Sequence, residues 1–391
     1  MIKQLKNIFD KENFVRKKRP MELNINGSFA QKSLMSNAKL FIENPCVRRS
    51  VNVIATAISA VKFKVFRDGK FVSDHSLYDL LNRPNGTDSL ASFMEGLVTN
   101  FMIFGNAYVA IIDGQNGQEL HNLNPEKMTI IPGPNGVPLR FEYEVDGKIV
   151  KFDNNGFDKP VGHLKTFNPQ SNWYGISPLD AVRVSANLHH SITLHNLSLI
   201  NNGGRVGGVV ALKKGANRLS EKEKESIRHN LVQMYQGPEN AGRIAFVEGG
   251  DFEWKPMGAS VMDMDYINAK TLAAREISEA LGVPAILIGG IGMKGEAAHA
   301  NFREIIDRFH EGTILPLAQR IFSFLNNWLV RQIDPNASLQ IDHENFLPLN
   351  DKRFELWEKV SSADFLSEKE KRALLGLENI INQTQAANSQ G

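Results

Sequence analysis

An α+β fold is expected for this 391-residue chain, and three patterns carry that expectation. Short alternating runs that turn at Asp-Gly pairs intermingle with amphipathic helices over roughly the first 170 residues. Two long helical stretches then bracket a compact insert with strands of its own. Beyond them, one further long helix holds a proline in its interior.

The elements follow in order. Asn44-Pro45 opens a helix to about Ala60: the asparagine accepts from first-turn amides, and proline is tolerated where its missing N–H would have no partner. "KFKVFRDGKFV" alternates around Asp68-Gly69 and reads as a hairpin. Asp88 is expected to cap the helix "SLASFMEGLVTNFMIFG", which Gly105 ends. "NAYVAIID" and "KMTIIP" read as strands, and "LRFEYEVDGKIVKF" as a hairpin turning at Asp146-Gly147. Ser177 caps and Pro178 starts one long helix, stopped by Gly203-Gly204.

The insert, about Arg205 to Met257, has a strand "GGVVAL", a helix opened by the capping box Ser220-x-x-Glu223, and a strand "GRIAFVEGG". Another helix spans about Met264 to Leu281. From Asn301 to Val330 apolar residues keep helical spacing past Pro316, which removes a hydrogen bond and kinks the helix. Two short helical pieces and the polar tail "NQTQAANSQG" complete the chain, the tail read as disordered.

Composition narrows the function classes. A net charge of +2 lies well short of the basic excess of a protein that grips DNA firmly. Cys46 is the only cysteine, which excludes an internal disulfide and a Cys-cluster metal site and fits a reducing compartment such as bacterial cytoplasm. The N-terminus lacks the apolar core of a secretory signal, and no apolar run has the length of a membrane span. The "RKKR" cluster at Arg16–Arg19 reads as a solvated terminus or as a contact for nucleic acid or capsid.

Most enzyme signatures fail on chemistry. "GPENAG" at Gly237–Gly242 has Walker spacing but continues Arg243-Ile244, so it lacks the phosphate lysine and the magnesium hydroxyl. His189, His190 and His195 do not share the three- or four-residue spacing that puts two ligands on one helix face. Asp263-x-Asp265 suits a helix start better than a cation. Cys46 follows Pro45 at a helix start, but with no base suggested nearby it reads as packing. No catalytic residue, metal ligand or cofactor is assigned.

One motif stays open at this point. "PAILIGGIGMKGEAAHANFREII" places four glycines in seven residues, and Gly290, Gly292 and Gly295 satisfy G-x-G-x-x-G. A dinucleotide site needs a strand before, a helix after, and a second strand within about thirty residues. The first two conditions are loosely met; the third is not, because helical periodicity persists to Val330.

Seven segments stand in a telling order: "NPCVRRSVNVIATAISAVKFKVF", "LLNRPNG", "FMIFGNAYVAII", "YGISPLDAV", "YQGPENAGRIAFVEGG", "MDMDYINAKTLAAREISEALGVPAILIG" and "TILPLAQRIFSFLNN". Together, over about Lys39 to Asn350, they resemble the portal proteins of tailed bacteriophages, of the type found in long-tailed phages and gene transfer agents. The resemblance implies a usually twelve-fold ring at one capsid vertex that passes double-stranded DNA, docks the terminase large subunit, meets the major capsid or scaffold protein, and later holds the head-tail adaptor. It implies no enzyme activity and no membrane.

It also implies a portal plan: a flexible basic segment at 1–38, a mixed wing at 39–176, a first stem helix region at 177–204, a clip at 205–258, a second stem helix at 259–283, a tunnel loop at 284–298, a kinked wing helix and return strand at 299–350, and a short crown with a disordered tail at 351–391. Gly290, Gly292, Met293, Lys294 and Gly295 would then face DNA, with Lys294 meeting phosphates and carrying no sequence information. Lys222 and Lys224, on the charged stretch "SEKEKES", and Arg228 just beyond it are the candidate clip residues for the motor or adaptor. The sequence departs from the portal pattern after the first stem helix, where Arg205-Val206 stand in place of an expected proline. The remaining alternatives are a nucleotide-cofactor enzyme using the glycine loop and a non-viral oligomeric scaffold of the same fold.

Overall fold

A computed structural model describes residues 34–114, 117–133, 136–154, 159–201, 208–212, 220–222, 225, 229, 252–256, 265–289, 302–342 and 357–374. Helices α1 (Asn37–Glu43) and α2 (Pro45–Ser59) meet at Asn44, which ends one and caps the other. Its Oδ1 accepts from the N–H groups of Cys46 at 3.0 Å and Val47 at 3.2 Å. α2 buries Val47, Val51, Ile54 and Ile58, one stripe at helical spacing.

The first hairpin, β1 (Phe63–Arg67) and β2 (Lys70–Val72), turns at Asp68 and Gly69 with φ of 50° and 75°, the positive-φ pair that a two-residue hairpin turn demands. After α3 (Ser76–Asn82) comes α4 (Leu90–Phe104). Its cap is Ser89, not Asp88. Asn85 Oδ1 holds the N–H of Asp88 at 2.8 Å, and the Asp88 carboxylate is taken by Asn85 Nδ2 at 2.9 Å, so the helix starts one residue later.

β3 (Asn106–Gly114) is the centre of an antiparallel sheet with β4 (Gly117–Leu123) and β8 (Val161–Lys165). β5 (Met128–Pro132), β6 (Pro138–Val145) and β7 (Lys148–Asp153) form a second antiparallel sheet, turning at Asp146 and Gly147 with φ of 49° and 74°. A small core of Tyr108, Met128, Ile130, Phe141 and Val161 joins the two sheets.

His163 lies in this region, stacked on Tyr108 with ring centroids 4.3 Å apart. Its Nε2 donates to Asn106 Oδ1 at 3.0 Å. Burial, helped by the Lys165 charge, pushes its pKa down to about 3, so the ring is neutral in the fold.

The long helix expected from Pro178 is broken at Val182 into α5 (Pro178–Ala181) and α6 (Arg183–Asn201). The Val182 N–H reaches back only three residues, to Leu179 O at 3.2 Å, and that tight turn interrupts the α ladder. β9 (Gly208–Leu212) pairs antiparallel with β10 (Phe252–Pro256), just beyond the run "GRIAFVEGG", which falls outside the described residues together with Gly203-Gly204, "RKKR" and the C-terminal tail.

α7 (Tyr266–Ala280) starts without a side-chain cap. Asp265 is at φ 44°, and its Oδ1 takes Asn268 Nδ2 at 2.6 Å instead of a backbone amide, which corrects the capping expectation. The last long element is continuous from residue 302 to 333: α8 (Phe302–Phe309), a π-helical turn at His310–Ile314, α9 (Leu315–Leu325), a second π turn at Asn326–Val330, and α10 (Arg331–Ile333). The interruption expected at Pro316 takes the form of the first π turn, where Leu315 N–H reaches His310 O five residues back.

β11 (Ala337–Ile341) then pairs with β1, giving the order β11-β1-β2. Residues 357–361 and α11 (Glu368–Leu374) are the two short helical pieces. The main core gathers Ile54 and Ile58 of α2, Leu97 of α4, Ile277 of α7 and Ile321 of α9, all at 0% exposure, around Val65 and Leu339 of the sheet.

Gly105 closes α4 at φ 67°, and a Cβ there would lie 2.3 Å from the carbonyl carbon and oxygen of Ile176. Gly69 has a similar φ of 75° but open space around it. Gly105→Ala is expected to cost about 3 kcal/mol or more and Gly69→Ala about 1 kcal/mol, read by chemical denaturation of both variants. A second expectation concerns pH. Between the unfolded value of 6.5 and about 3, His163 takes up a proton only on unfolding, so stability falls as pH drops below 6.5. His163→Gln should flatten that slope by up to about 1.4 kcal/mol per pH unit in denaturation curves taken across the window.

Candidate functional site

α6 and α7 lie antiparallel as a rod. Near one end Ser185 Oγ donates to Glu276 Oε2 at 2.5 Å; near the other the His195 and Tyr266 rings stand 5.0 Å apart. Among the described residues of α6, the last buried ones are His189 and Ile192. Beyond them Leu194, Leu197 and Ile200 are 52–60% exposed, and on α7 Ile267 is 80% and Leu272 57% exposed. At 100° per residue, Ile267 and Leu272 point roughly 140° apart, and Leu194 to Ile200 sweep an arc of roughly 120°. The rod therefore carries apolar surface on more than one side, which a helix pair buried on one side alone would not.

The chain leaves the rod's outer end after Asn201 and returns at Tyr266, so the β9–β10 pair belongs to the connection at that end. Of the clip candidates, Lys222 is exposed in a helical turn, while Lys224 and Arg228 fall outside the described residues.

The root of the rod is clasped by α1 and α2. Asn44 Nδ2 donates to Ala186 O at 2.9 Å, and Asn187 Oδ1 accepts from Met35 N–H at 3.1 Å. The three histidines part company here: His189 Nε2 is 3.5 Å from Cys46 Sγ, His190 Nε2 is 3.6 Å from a Glu43 oxygen, and His195 meets Tyr266.

Cys46 thus has a base beside it, contrary to the sequence expectation, because the contact joins helices 143 residues apart. Burial pushes the Cys46 thiol up despite the Lys270 charge, and burial, then Lys270 and His190, push His189 down, so both groups are neutral. No group of three or more metal-ligating side chains occurs among the described residues.

At the inner end of α7 the glycine segment begins. Gly282, at φ 69°, lets the chain turn, and Val283 N–H bonds back to Ser278 O at 2.8 Å. Thr313, in the π turn, donates from Oγ1 to Gly282 O at 2.8 Å. Arg49 Nε holds Leu287 O at 3.2 Å. Both arms of the segment are therefore tied to the body, one through Gly282–Leu287 and the other through the turn that follows α8.

Ala285–Ile288 is a single 3₁₀ turn, not a strand. The G-x-G-x-x-G motif accordingly lacks the leading strand that a dinucleotide fold requires. Gly290, Gly292, Met293, Lys294 and Gly295 themselves fall outside the described residues.

The chain matches the family described as phage portal protein over residues 45–376. It belongs to the phage portal protein family. A protein of Rickettsia felis is 31% identical over 386 residues, covering 98% of this chain and 99% of its own length. A chain in the neck of a native gene transfer agent (GTA) particle, computed with C12 symmetry, is 34% identical with a TM-score of 0.66, covering 87% of this chain and 93% of that one. An HK97-family phage portal protein from Corynebacterium diphtheriae shares the fold at 16% identity, with a TM-score of 0.57 and coverage of 81% and 97%. The portal fold is the α+β architecture described above, and the family is structural. Among the described residues no helix is long and apolar enough to cross a membrane.

Because Gly282 combines positive φ with a Cβ position 2.8 Å from Thr313 Oγ1, Gly282→Ala should destabilise by about 2 kcal/mol in the parent portal protein. In a Thr313→Ala background the same change should cost only the backbone term of about 1 kcal/mol. A double-mutant cycle by denaturation measures the difference.

Proposed function

We propose that copies of this portal protein close side by side into a ring, of about twelve subunits, at the capsid vertex of a virion or gene transfer agent particle. Double-stranded DNA passes through its bore during packaging and ejection. The observation that carries this reading is the rod: a closed ring needs two different complementary faces on each subunit, and the exposed apolar residues of α6 and α7 point in directions too far apart for one partner. The C12 symmetry of the neck that holds its 34% identical relative supports the same arrangement.

In this reading residues 39–176 and the 299–350 segment make the wing, α6 and α7 the stem, residues 205–258 the clip, and 351–391 a short crown. The glycine segment with Lys294 lines the channel. Its phosphate contacts are non-specific and weak, since strong binding would stall a moving duplex. The clip, with Lys222, Lys224 and Arg228, meets the terminase large subunit, which supplies ATP hydrolysis, and later the head-tail adaptor. The portal protein guides DNA and catalyses nothing. Assembly takes place with the major capsid or scaffold protein in the bacterial host cytoplasm.

Negative-stain microscopy and mass photometry of the purified chain test the ring. Annular particles with a central hole are expected, and paired Leu197→Asp and Ile267→Asp substitutions should leave folded monomers, since both side chains are exposed in the single subunit. A wild-type chain that stays monomeric alone and with its capsid partners would sink the reading.

A further inference from the structure

His75 carries a bond on each ring nitrogen, and the two bonds together admit one protonation state. Its Nδ1 accepts from the Leu77 N–H at 3.2 Å, the side-chain cap of α3. Its Nε2 lies 3.3 Å from Asp334 Oδ2. A backbone N–H can only donate, so Nδ1 is bare and the ring's single proton sits on Nε2. The ring that caps α3 and donates to Asp334 is therefore neutral.

Asp334 belongs to the junction between α10 and β11. Its Oδ1 accepts from the Asn336 N–H at 3.0 Å, and the Oδ2 that meets His75 is also 3.0 Å from Arg67 Nε on β1. The Asn336 N–H first, then the His75 bond and the Arg67 charge, hold the Asp334 carboxyl below its ordinary range against the opposing effect of burial, so it stays an anion. The His75 and Asp334 side chains are 9% and 13% exposed, which leaves little room for water to replace either partner.

The first turn of α3 has a second tie to the same sheet. The Tyr78 ring stacks on Phe63 with centroids 5.5 Å apart, and its hydroxyl oxygen accepts from the Val65 N–H at 2.9 Å. Val65 faces Val72, the last residue of β2, so Tyr78 takes over the β1 edge where β2 stops. The turn that His75 caps is the turn that closes this edge.

A further proton on the ring has to enter at Nδ1. It removes the lone pair that caps α3 and sets one N–H against another. The bond to Asp334 survives and gains charge. The surrounding groups pull in both directions. Asp334 from the junction, with Asp74 and Asp79 on the ring's own stretch, favours the charged ring; Arg67 from β1 and the positive end of α3 oppose it. β4, which also packs on α3, brings Glu119 and His121, and these pair with each other at 2.9 Å.

We propose that His75 is a proton-operated latch. Neutral, it pins the first turn of α3, and with it Tyr78, to the β11-β1-β2 sheet; protonated, it stays on Asp334 and releases that turn.

Hydrogen–deuterium exchange of the full chain, read by mass spectrometry at about pH 8 and about pH 5, tests the latch across the range in which histidine changes charge. Labelling times are scaled for the intrinsic effect of pH on exchange. The α3 peptide should then exchange about tenfold faster at the lower pH, in excess of any change in the α4 peptide, which reports the global loosening expected from His163. His75→Asn supplies a cap acceptor that does not titrate, and the excess should vanish. Asp334→Asn withdraws the anion that favours the charged ring, and the loosening of α3 should begin at lower pH than in the parent. A parent chain whose α3 peptide follows its α4 peptide at both values overturns the latch, as does an excess that persists in His75→Asn. An onset left unmoved by Asp334→Asn overturns the role given to Asp334.

Discussion

Two helix caps hold the molecule together because each serves a second helix as well as its own. Asn44 caps α2 and donates to the Ala186 carbonyl of α6; Ser177 caps α5 and donates to the Met102 carbonyl of α4 at 3.1 Å. Both are buried, so every polar atom they carry must find a partner. Replacing either would leave amides at a helix start and a carbonyl on another helix without their donors and acceptors. The rod can project from the body because its root is tied at these two points, and the glycine segment can be carried at its inner end because α7 packs on α2.

Much of this was readable locally. Asp68-Gly69, Asp146-Gly147, Asn44-Pro45, Ser177-Pro178 and Gly105 each form a turn or cap through chemistry within four residues, as their residue types demand; the long-range bonds of Asn44 and Ser177 are not legible that way. The misses are contacts across the chain. β8 contains Gly162, a poor strand residue, yet a Cβ there would meet the Trp328 ring at 2.3 Å, so only glycine fits. β4, "GQELHNL", has little β propensity and is a strand because β3 pairs with it over its whole length. The displaced cap at Ser89 and the split at Val182 turn on local bonds, Asn85 with Asp88 and Val182 with Leu179, that the residue types alone do not announce.

The candidate site divides the same way. The helices on either side of the insert and the long helix after the glycine segment were legible from punctuation and periodicity. The Cys46–His189 contact was not, since it spans two helices far apart in the chain. The family was legible only from the ordered set of segments, because portal work is done by shape and repetition and leaves no catalytic signature.

The first π turn has a mechanical meaning. Thr313 fastens it to Gly282, the other foot of the glycine segment, so the two feet form a single abutment. A force on either foot would therefore be shared by both, and would meet first a turn whose backbone ladder is already one step longer than α, just ahead of Pro316, which offers no amide. Ile321 and Leu325 beyond it are fixed in the apolar seam.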